Sequence, residues 1–273
     1  MQSAQKNILI NGSNIRVQEQ GAGETVVLLY GYGGVPSRSD FAEQLAKTHR
    51  VVTISLPGQQ GSDRGHDDLH TPLDWITTTL DAIELGSGAG DGVTINLVAQ
   101  SVSGMIGGEI AAVAPRWLRS LTLIGPLGMY DEAQPPRNLY AEAPFNRVKL
   151  MTTRPELYAA TYGPPADWDD AARREHDVIA YRADEAMARL MWPFGDIGLK
   201  RRLHRVRIPV LLLWGADDAL MPPVYAKQFA ARLSGPVRVE TVERAGHLAT
   251  LDAPESCAGL VQSFLDAKRQ AAA

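Results

Sequence analysis

Short runs of aliphatic and β-branched residues recur along the chain and predict eight β-strands. These strands cover residues 7–10, 14–19, 25–30, 50–55, 93–98, 119–124, 208–214 and 237–242. From residue 25 onward the runs are mostly apolar at successive positions, which is typical of strands buried on both faces of a sheet. Apolar and polar side chains alternate from Ile15 to Gln18, as in an antiparallel edge strand. The pattern therefore predicts an α/β protein with a mostly parallel sheet.

Helix-forming stretches separate the predicted strands. They cover residues 40–47, 72–85, 103–113, 224–233 and 254–268. Pro72 and Pro254 stand in predicted first turns, where proline is well tolerated because the first backbone N–H groups of a helix have no partner within it. The alternation of strands and helices agrees with a parallel sheet covered by helices.

The stretch between Pro126 and Pro209 interrupts this alternation because it has no strand pattern. Residues 167–176 and 184–190 favour helix, and a segment of about 80 residues without strands is too long for a plain loop in a compact domain. We therefore expect a helical subdomain here. The expected division is a helical subdomain at 127–207 and a core domain at 1–126 and 208–273.

A serine stands where the predicted fifth strand meets a helix rich in small residues. The strand at 93–98 runs through Ala99 and Gln100 into Ser101. A serine at such a sharp turn is held in a strained backbone conformation, with its hydroxyl exposed above the sheet as a nucleophile. The alternative is an ordinary turn in which the serine caps the helix. The hexapeptide by itself leaves both interpretations open.

Two further groups with acid–base chemistry follow later strands. Asp217 and Asp218 come just after the strand at 208–214, and His247 follows the strand at 237–242. A carboxylate at the carboxyl end of a strand can orient an imidazole and stabilise its charged form. From their positions, either aspartate could have this role.

Taken together, these residues resemble the α/β-hydrolase family, in which serine, acid and histidine follow successive strands in this order. The resemblance covers almost the whole chain. The family's acid usually closes a Gly-x-x-Asp stretch and its histidine lies in Gly-His, which selects Asp218 and His247 to act with Ser101. Ala99 and Ser103 depart from the usual glycines beside the serine. The resemblance implies an α/β-hydrolase fold with a mostly parallel eight-stranded sheet and a helical lid, residues 127–207, inserted after the sixth strand.

The loop after the third strand reads Tyr30-Gly31-Tyr32-Gly33-Gly34, where the family usually has His-Gly-x-Gly-Gly. The resemblance implies an oxyanion hole made by the backbone N–H groups of Tyr32 and Val102. Tyr30 replaces the usual histidine, which changes the polarity beside the pocket and leaves the backbone donor in place. A phosphate-binding loop is disfavoured because the Lys-Ser/Thr of such loops is missing.

A second loop also departs from the family. The usual run Asp-x-Pro-Gly-His-Gly-x-Ser is here Ser55-Leu56-Pro57-Gly58-Gln59-Gln60-Gly61-Ser62. The acid, the histidine and one glycine are all changed. We interpret this loop as structural, so that these changes leave the expected chemistry intact.

Several residues are expected to bind the substrate. They are Tyr30, Gly31, Met129, Tyr130, Trp192, Phe194 and Leu248. The aromatic and Met residues of 127–207 would make this pocket largely apolar. The alternative, equally open from the sequence, is that these side chains form the small core of the subdomain itself.

These residues predict a cofactor-independent serine hydrolase that cleaves a carboxylic ester or lactone of a small, largely apolar substrate through an acyl-enzyme. A carbon–carbon bond hydrolase acting on a ring-cleavage dienone is the enzymatic alternative. Against it, Leu248 and Ala249 follow His247, where many such enzymes have a tryptophan. A binding protein that keeps the fold without turnover is a third possibility.

Composition and charge exclude other classes of partner. Lys and Arg number 27 against 31 Asp and Glu, a net charge of −4, and no long basic block is present, which disfavours nucleic acids and anionic membrane surfaces. The apolar runs are too short to span a membrane. With a single cysteine, Cys257, and no secretory signal, we expect a cytoplasmic protein. The sequence specifies no oligomeric state.

No metal ion is expected. His66 and His70 are four residues apart and would share a helix face, but Gly65 before them and Pro72 after them indicate a loop. We therefore expect neither a metal nor any other cofactor.

Overall fold

The computed structural model describes residues 4–63, 71–90, 92–191 and 195–272. Eight strands form one sheet. They are β1 (Ala4–Ile10), β2 (Ser13–Gln20), β3 (Thr25–Leu29), β4 (Arg50–Ile54), β5 (Ile95–Gln100), β6 (Leu118–Ile124), β7 (Val210–Gly215) and β8 (Val237–Val242).

The strands are ordered β1-β2-β4-β3-β5-β6-β7-β8 across the sheet. β1 pairs antiparallel with β2 and β2 antiparallel with β4, whereas all pairs from β4 to β8 are parallel. In β2, Ile15 and Val17 are fully buried, whereas Asn14 is exposed and Arg16 is half-buried. The predicted parallel sheet with an antiparallel edge is therefore confirmed.

Nine helices occur in the described part of the chain. They are α1 (Asp40–Leu45), α2 (Pro72–Ser87), α3 (Val102–Val113), α4 (Pro144–Met151), α5 (Pro155–Tyr162), α6 (Asp170–Met191), α7 (Val224–Ala230), α8 (Ala249–Asp252) and α9 (Pro254–Ala272). Pro72 opens α2 behind Thr71, whose side chain accepts a hydrogen bond from the backbone N–H of Asp74. Pro254 likewise stands at the start of α9.

Helices cover both faces of the sheet, and the core lies between the layers. Along β3, Val26 and Leu28 belong to one buried cluster, whereas Val27 and Leu29 belong to the other. Successive side chains of a strand point to opposite faces, so a strand buried on both faces must be apolar at every position. This is the reason for the continuous apolar runs in the sequence.

Between β6 and β7 lie α4, α5 and α6, and no strand occurs in the described residues of that segment. α6 is a single helix of 22 residues. It contains most of both stretches that favour helix in the sequence, 167–176 and 184–190, and also the residues between them. Its middle turns are exposed, with Val178 47% and Tyr181 70% accessible. Exposed helical turns need no regularly spaced apolar residues. The residues between 176 and 184 therefore show no amphipathic pattern, although they are helical. The division at residues 127 and 207 stays a prediction.

Some residues singled out in the sequence lie outside the described part of the chain. They are His66, His70, Trp192 and Phe194. Among the described helices, none combines the length and the apolar character needed to cross a membrane.

Candidate active site

Ser101 occupies the turn between β5 and α3. Its backbone angles, φ 60° and ψ −127°, lie in a region that residues with a side chain rarely adopt. The Ser101 side chain makes no capping hydrogen bond to α3. Of the two interpretations of this turn, the structure therefore shows the strained one, and the helix-capping serine is not observed.

Residues without side chains make room for this turn. A Cβ at Gly31 would lie 2.5 Å from the Cβ of Ser101, and a Cβ at Gly107 would lie 2.9 Å from the Cβ of Ala99. Real Cβ atoms do not approach so closely. Ala99 can therefore replace the family's usual glycine because the facing helix position is itself a glycine.

Ser101, His247 and Asp218 form one hydrogen-bonded chain. The Oγ of Ser101 lies 2.8 Å from Nε2 of His247, and Nδ1 of His247 lies 2.9 Å from Oδ2 of Asp218. All three residues are buried, with 0%, 1% and 4% of their surface exposed. Because an ionised carboxylate only accepts hydrogen bonds, Nδ1 donates to Asp218, which leaves Nε2 free to accept the Ser101 proton.

The carboxylate of Asp218 is fixed on its other side by backbone groups. Its Oδ1 accepts hydrogen bonds from the backbone N–H of Leu220, at 3.0 Å, and of Met221, at 2.8 Å. Asp217 is exposed, and only its backbone is bonded, with its N–H donating to the carbonyl of Ala245. The structure thus brings Asp218, and not Asp217, to the histidine.

A second buried carboxylate holds the loop that carries His247. Oδ2 of Asp252 accepts the backbone N–H of Gly246 at 2.7 Å and that of Thr153 at 3.0 Å, and Oδ1 accepts the hydroxyl of Thr152. The backbone N–H of Leu248 donates to the carbonyl of Met151 at 2.7 Å. Both neighbours of His247 are therefore tied to the connection between α4 and α5.

The Tyr30–Gly34 loop lies against Ser101. The backbone N–H groups of Tyr32 and Val102 donate no hydrogen bond within the described part of the chain, which leaves both available to a bound oxygen. The carbonyl of Tyr30 accepts the Ser103 hydroxyl at 2.6 Å. The buried side-chain amide of Gln59 donates to the carbonyls of Tyr30, at 3.0 Å, and Gly31, at 3.1 Å.

The expected substrate-binding residues differ in their positions. Met129 and Leu248 belong to the buried cluster that also holds Tyr32. The cluster includes further residues from between β6 and β7, namely Met151, Met187, Leu190 and Met191. Tyr30 belongs to the cluster on the other face, and its hydroxyl lies 2.5 Å from Oγ of Ser39. Tyr130 is half-buried. The segment between β6 and β7 thus buries apolar side chains in the same cluster as Leu248.

Three tyrosines place phenol groups among these buried apolar side chains. They are Tyr32, Tyr140 and Tyr158. The rings of Tyr32 and Tyr140 meet edge to face with centroids 5.9 Å apart, and the guanidinium of Arg147 lies 6.0 Å from the Tyr140 ring. Burial raises the pKa of Tyr32 and of Tyr140, and it raises the pKa of Tyr158 to about 12. These phenols therefore remain neutral hydroxyl groups at physiological pH.

Two residues that hold the site, Gln59 and Asp252, were not predicted. Gln59 stands where the family usually has histidine, and this substitution was the one available signal. Asp252 lies five residues after His247 in a stretch with no local motif. Among the described residues, no three acidic, histidine or cysteine side chains are grouped so that they could hold a metal ion.

Residues 26–260 match the model of the alpha/beta hydrolase family. The chain is 28% identical over 274 residues to polyketide synthase ThaQ of Burkholderia thailandensis, and this match covers 97% of the chain but only 13% of that protein's length. It is 27% identical over 262 residues to the pimeloyl-(acyl-carrier protein) methyl ester esterase of Aromatoleum aromaticum, with 88% of the chain and 97% of the esterase covered.

A solved structure shares the architecture. The 2-hydroxy-6-oxo-6-phenylhexa-2,4-dienoate hydrolase from Rhodococcus sp. strain RHA1 superimposes with a TM-score of 0.74 at 18% identity, over 97% of this chain and 99% of that chain. At this identity the likeness establishes the fold. The family match over residues 26–260 shows that the chain belongs to the alpha/beta hydrolase family.

Proposed function

We propose that this protein is a serine hydrolase that cleaves a carboxylic ester or lactone of a small, largely apolar substrate. The observation that carries the proposal is the buried chain of hydrogen bonds from Ser101 through His247 to Asp218, with distances of 2.8 and 2.9 Å. A hydroxyl becomes a strong nucleophile only when a base removes its proton, and this chain supplies that base.

In the proposed reaction, Oγ of Ser101 attacks the carbonyl carbon while its proton passes to Nε2 of His247. The carbonyl oxygen becomes negatively charged and accepts hydrogen bonds from the backbone N–H groups of Tyr32 and Val102, each worth about 3 to 4 kcal/mol in such sites. Asp218 stabilises the imidazolium through Nδ1 without itself taking the proton.

The intermediate then collapses to the acyl-enzyme. The bond between the carbonyl carbon and the alkoxy oxygen breaks, and the leaving oxygen takes the proton from Nε2 of His247. With a lactone, that hydroxyl stays attached to the acyl chain. A water molecule next gives its proton to Nε2 and attacks the acyl carbon. The bond between that carbon and Oγ of Ser101 then breaks, Oγ takes the proton back from Nε2, and the carboxylic acid leaves.

We also propose that residues 127–207 act as the lid of this site. Ser101 has no exposed surface, and buried side chains of this segment, among them Met151, Met187 and Met191, belong to the same buried cluster as Leu248, the residue after His247. In this proposal the segment moves to admit a substrate to Ser101. Flexible thioether side chains fill and release irregular apolar space easily, which favours small apolar acyl groups as substrates.

The named relatives support an ester as the scissile group, since one is called a methyl ester esterase. The neighbour called a dienoate hydrolase shares the fold only, so carbon–carbon cleavage is tested rather than assumed. The test is a turnover panel of p-nitrophenyl esters of increasing acyl length, lactones and ring-cleavage dienones.

We expect turnover of the apolar esters or the lactones and a loss on the order of a million-fold in Ser101→Ala. Turnover of the dienones in place of the esters would move the activity to carbon–carbon bonds. Saturable binding with no turnover of any compound would instead favour a binding protein and contradict the proposal.

A further inference from the structure

The side chain of Gln59 is buried, with 1% of its surface exposed, and all of its polar atoms are bonded. Nε2 donates to the carbonyls of Tyr30, at 3.0 Å, and Gly31, at 3.1 Å, and Oε1 accepts the backbone N–H of Leu56 at 3.0 Å. The donor end of the amide faces two acceptors and the acceptor end faces a donor. The orientation of the amide group is therefore fixed by its neighbours.

The carbonyl of Gly31 belongs to the same peptide unit as the backbone N–H of Tyr32. In a trans peptide these two groups point in opposite directions. The Gly31 carbonyl is held by Gln59 and by the N–H of Gly34, which donates to it at 3.0 Å. The N–H of Tyr32 must then point away from Gln59.

Gly31 itself is pressed against the nucleophile. A Cβ at Gly31 would lie 3.0 Å from Oγ of Ser101. A rotation of the Gly31–Tyr32 peptide would therefore change the direction of an N–H that begins next to the reacting atoms. Such donors stabilise a transition state only when they are already aimed at the position where charge develops.

We propose that Gln59 is the positioning residue of the oxyanion hole. Its amide holds the Tyr30 and Gly31 carbonyls on the side away from Ser101, so that the Tyr32 N–H faces the oxygen of the reacting carbonyl. The proposal rests on the function proposed above. It gives the departure from the family's usual histidine a specific task. The amide donates to two carbonyls and accepts one N–H, whereas a neutral imidazole has a single N–H and cannot donate to both carbonyls.

The test uses Gln59→Met and Gln59→Glu. Both keep the length of the side chain and lose the N–H donors, and Gln59→Glu at alkaline pH keeps an acceptor for the N–H of Leu56. The fold should survive, since the Tyr30 carbonyl keeps its bond from Ser103 and the Gly31 carbonyl keeps its bond from Gly34. Gln60→Met is the matched control, because Gln60 is the adjacent glutamine and contacts neither carbonyl.

Two measurements separate an effect on the oxyanion hole from a general one. In ester hydrolysis, kcat should fall by about 10- to 100-fold in both Gln59 variants with KM nearly unchanged, as for an interaction made in the transition state. In calorimetry, a trifluoromethyl ketone, which forms an oxyanion on Ser101, should bind more weakly by a similar factor. The corresponding alcohol, which is similar in size but has no carbonyl for Ser101 to attack, should bind each variant equally.

The outcomes are distinct. If both Gln59 variants, or Gln59→Met alone, match Gln60→Met, the N–H donors do not position the hole and the inference is overturned. If the wild type prefers the ketone over the alcohol but hydrolyses no ester, the ester assignment fails while the ketone affinities of the variants still decide the role of Gln59. If the wild type shows no preference for the ketone, both proposals fail.

Discussion

The Nε2 atom of His247 lies 2.8 Å from the Oγ of Ser101, although the two residues are 146 positions apart in the chain. Ser101 follows β5 and His247 follows β8, and both strands run in the same direction in one sheet. The carboxyl ends of parallel strands lie at a common edge, which is where open α/β sheets place their active sites. The proposed chemistry depends on this close approach of His247 to Ser101.

The first prediction compares two neighbouring aspartates. Asp218→Asn should lower kcat by about ten-thousand-fold, because an amide cannot hold the imidazole in the tautomer that accepts the serine proton. Asp217→Asn is the matched control, since its side chain is exposed and takes no part in the chain of hydrogen bonds. Steady-state kinetics of both purified variants checks this. An equal effect of the two substitutions would remove Asp218 from its proposed role.

The second prediction concerns the carboxylate that anchors the His247 loop. Asp252→Ala leaves the N–H groups of Gly246 and Thr153 and the Thr152 hydroxyl without their acceptor, at a cost of about 2 to 4 kcal/mol in the free energy of unfolding. Because His247 is then less well placed, kcat should also fall by about ten-fold or more. Urea unfolding and ester kinetics measure the two effects.

Glu243→Ala provides the control for that change, as Glu243 is an exposed carboxylate in the same region of the chain. We expect its unfolding free energy to stay within about 0.5 kcal/mol of the wild type. Wild-type stability in Asp252→Ala would mean that these hydrogen bonds do not hold the loop.

The third prediction tests the close approach of Gly31 to the nucleophile. Gly31→Ala would place a methyl group 2.5 Å from the Cβ of Ser101 and 2.6 Å from the carbonyl oxygen of Gln100, so the loop must shift. We expect a loss of kcat of about a hundred-fold, as for other misplacements near 1 Å. Gly259→Ala is the control, since a Cβ there meets nothing within 4 Å and alanine favours the α9 helix by about 1 kcal/mol. Equal activity of the two variants would show that the loop has room.

The fourth prediction attributes part of the pH dependence of stability to the ion pair between Glu19 and Arg50. Arg50 makes a two-point contact with Glu19, at 2.7 and 2.8 Å, and these hydrogen bonds lower the pKa of the Glu19 carboxyl. A carboxyl whose pKa is lowered on folding stabilises the fold above its unfolded pKa and loses this contribution as the pH falls through its folded pKa.

Glu19→Gln should therefore be less stable than the wild type by about 1 kcal/mol at neutral pH, with the difference vanishing in acid. Glu43→Gln, which removes a more exposed contact with Arg38, should show a smaller difference at every pH. Denaturant titrations from neutral to acidic pH measure both. A gap for Glu19→Gln that persists or grows in acid would contradict this assignment.

The sheet could be predicted from the sequence because the burial of each strand is visible in the strand's own residues. A strand buried on both faces must be apolar at each position, and residues such as Val26 to Leu29 show this directly. The pairing of Ser101 with His247 and Asp218 came from the family resemblance and was then found in the structure at hydrogen-bond distances.

Other features could not be predicted because they depend on tertiary contacts. The turn of α6 around Tyr181 is exposed, so its helical state leaves no periodic pattern. Gln59 and Asp252 act by accepting or donating to backbone groups far away in the chain, such as those of Gly31 and Thr153. No spacing in the sequence marks such contacts, since a backbone group is present at every residue.

The most direct test of the account is to locate the covalent adduct of a fluorophosphonate. This reagent phosphonylates a serine only where a base activates the hydroxyl and N–H donors receive the phosphoryl oxygen. We predict a single adduct on Ser101 by peptide mass spectrometry in the wild type and none in Ser101→Ala. An adduct on another serine, or labelling of Ser101→Ala to the wild-type extent, would contradict the assignment of Ser101 as the nucleophile.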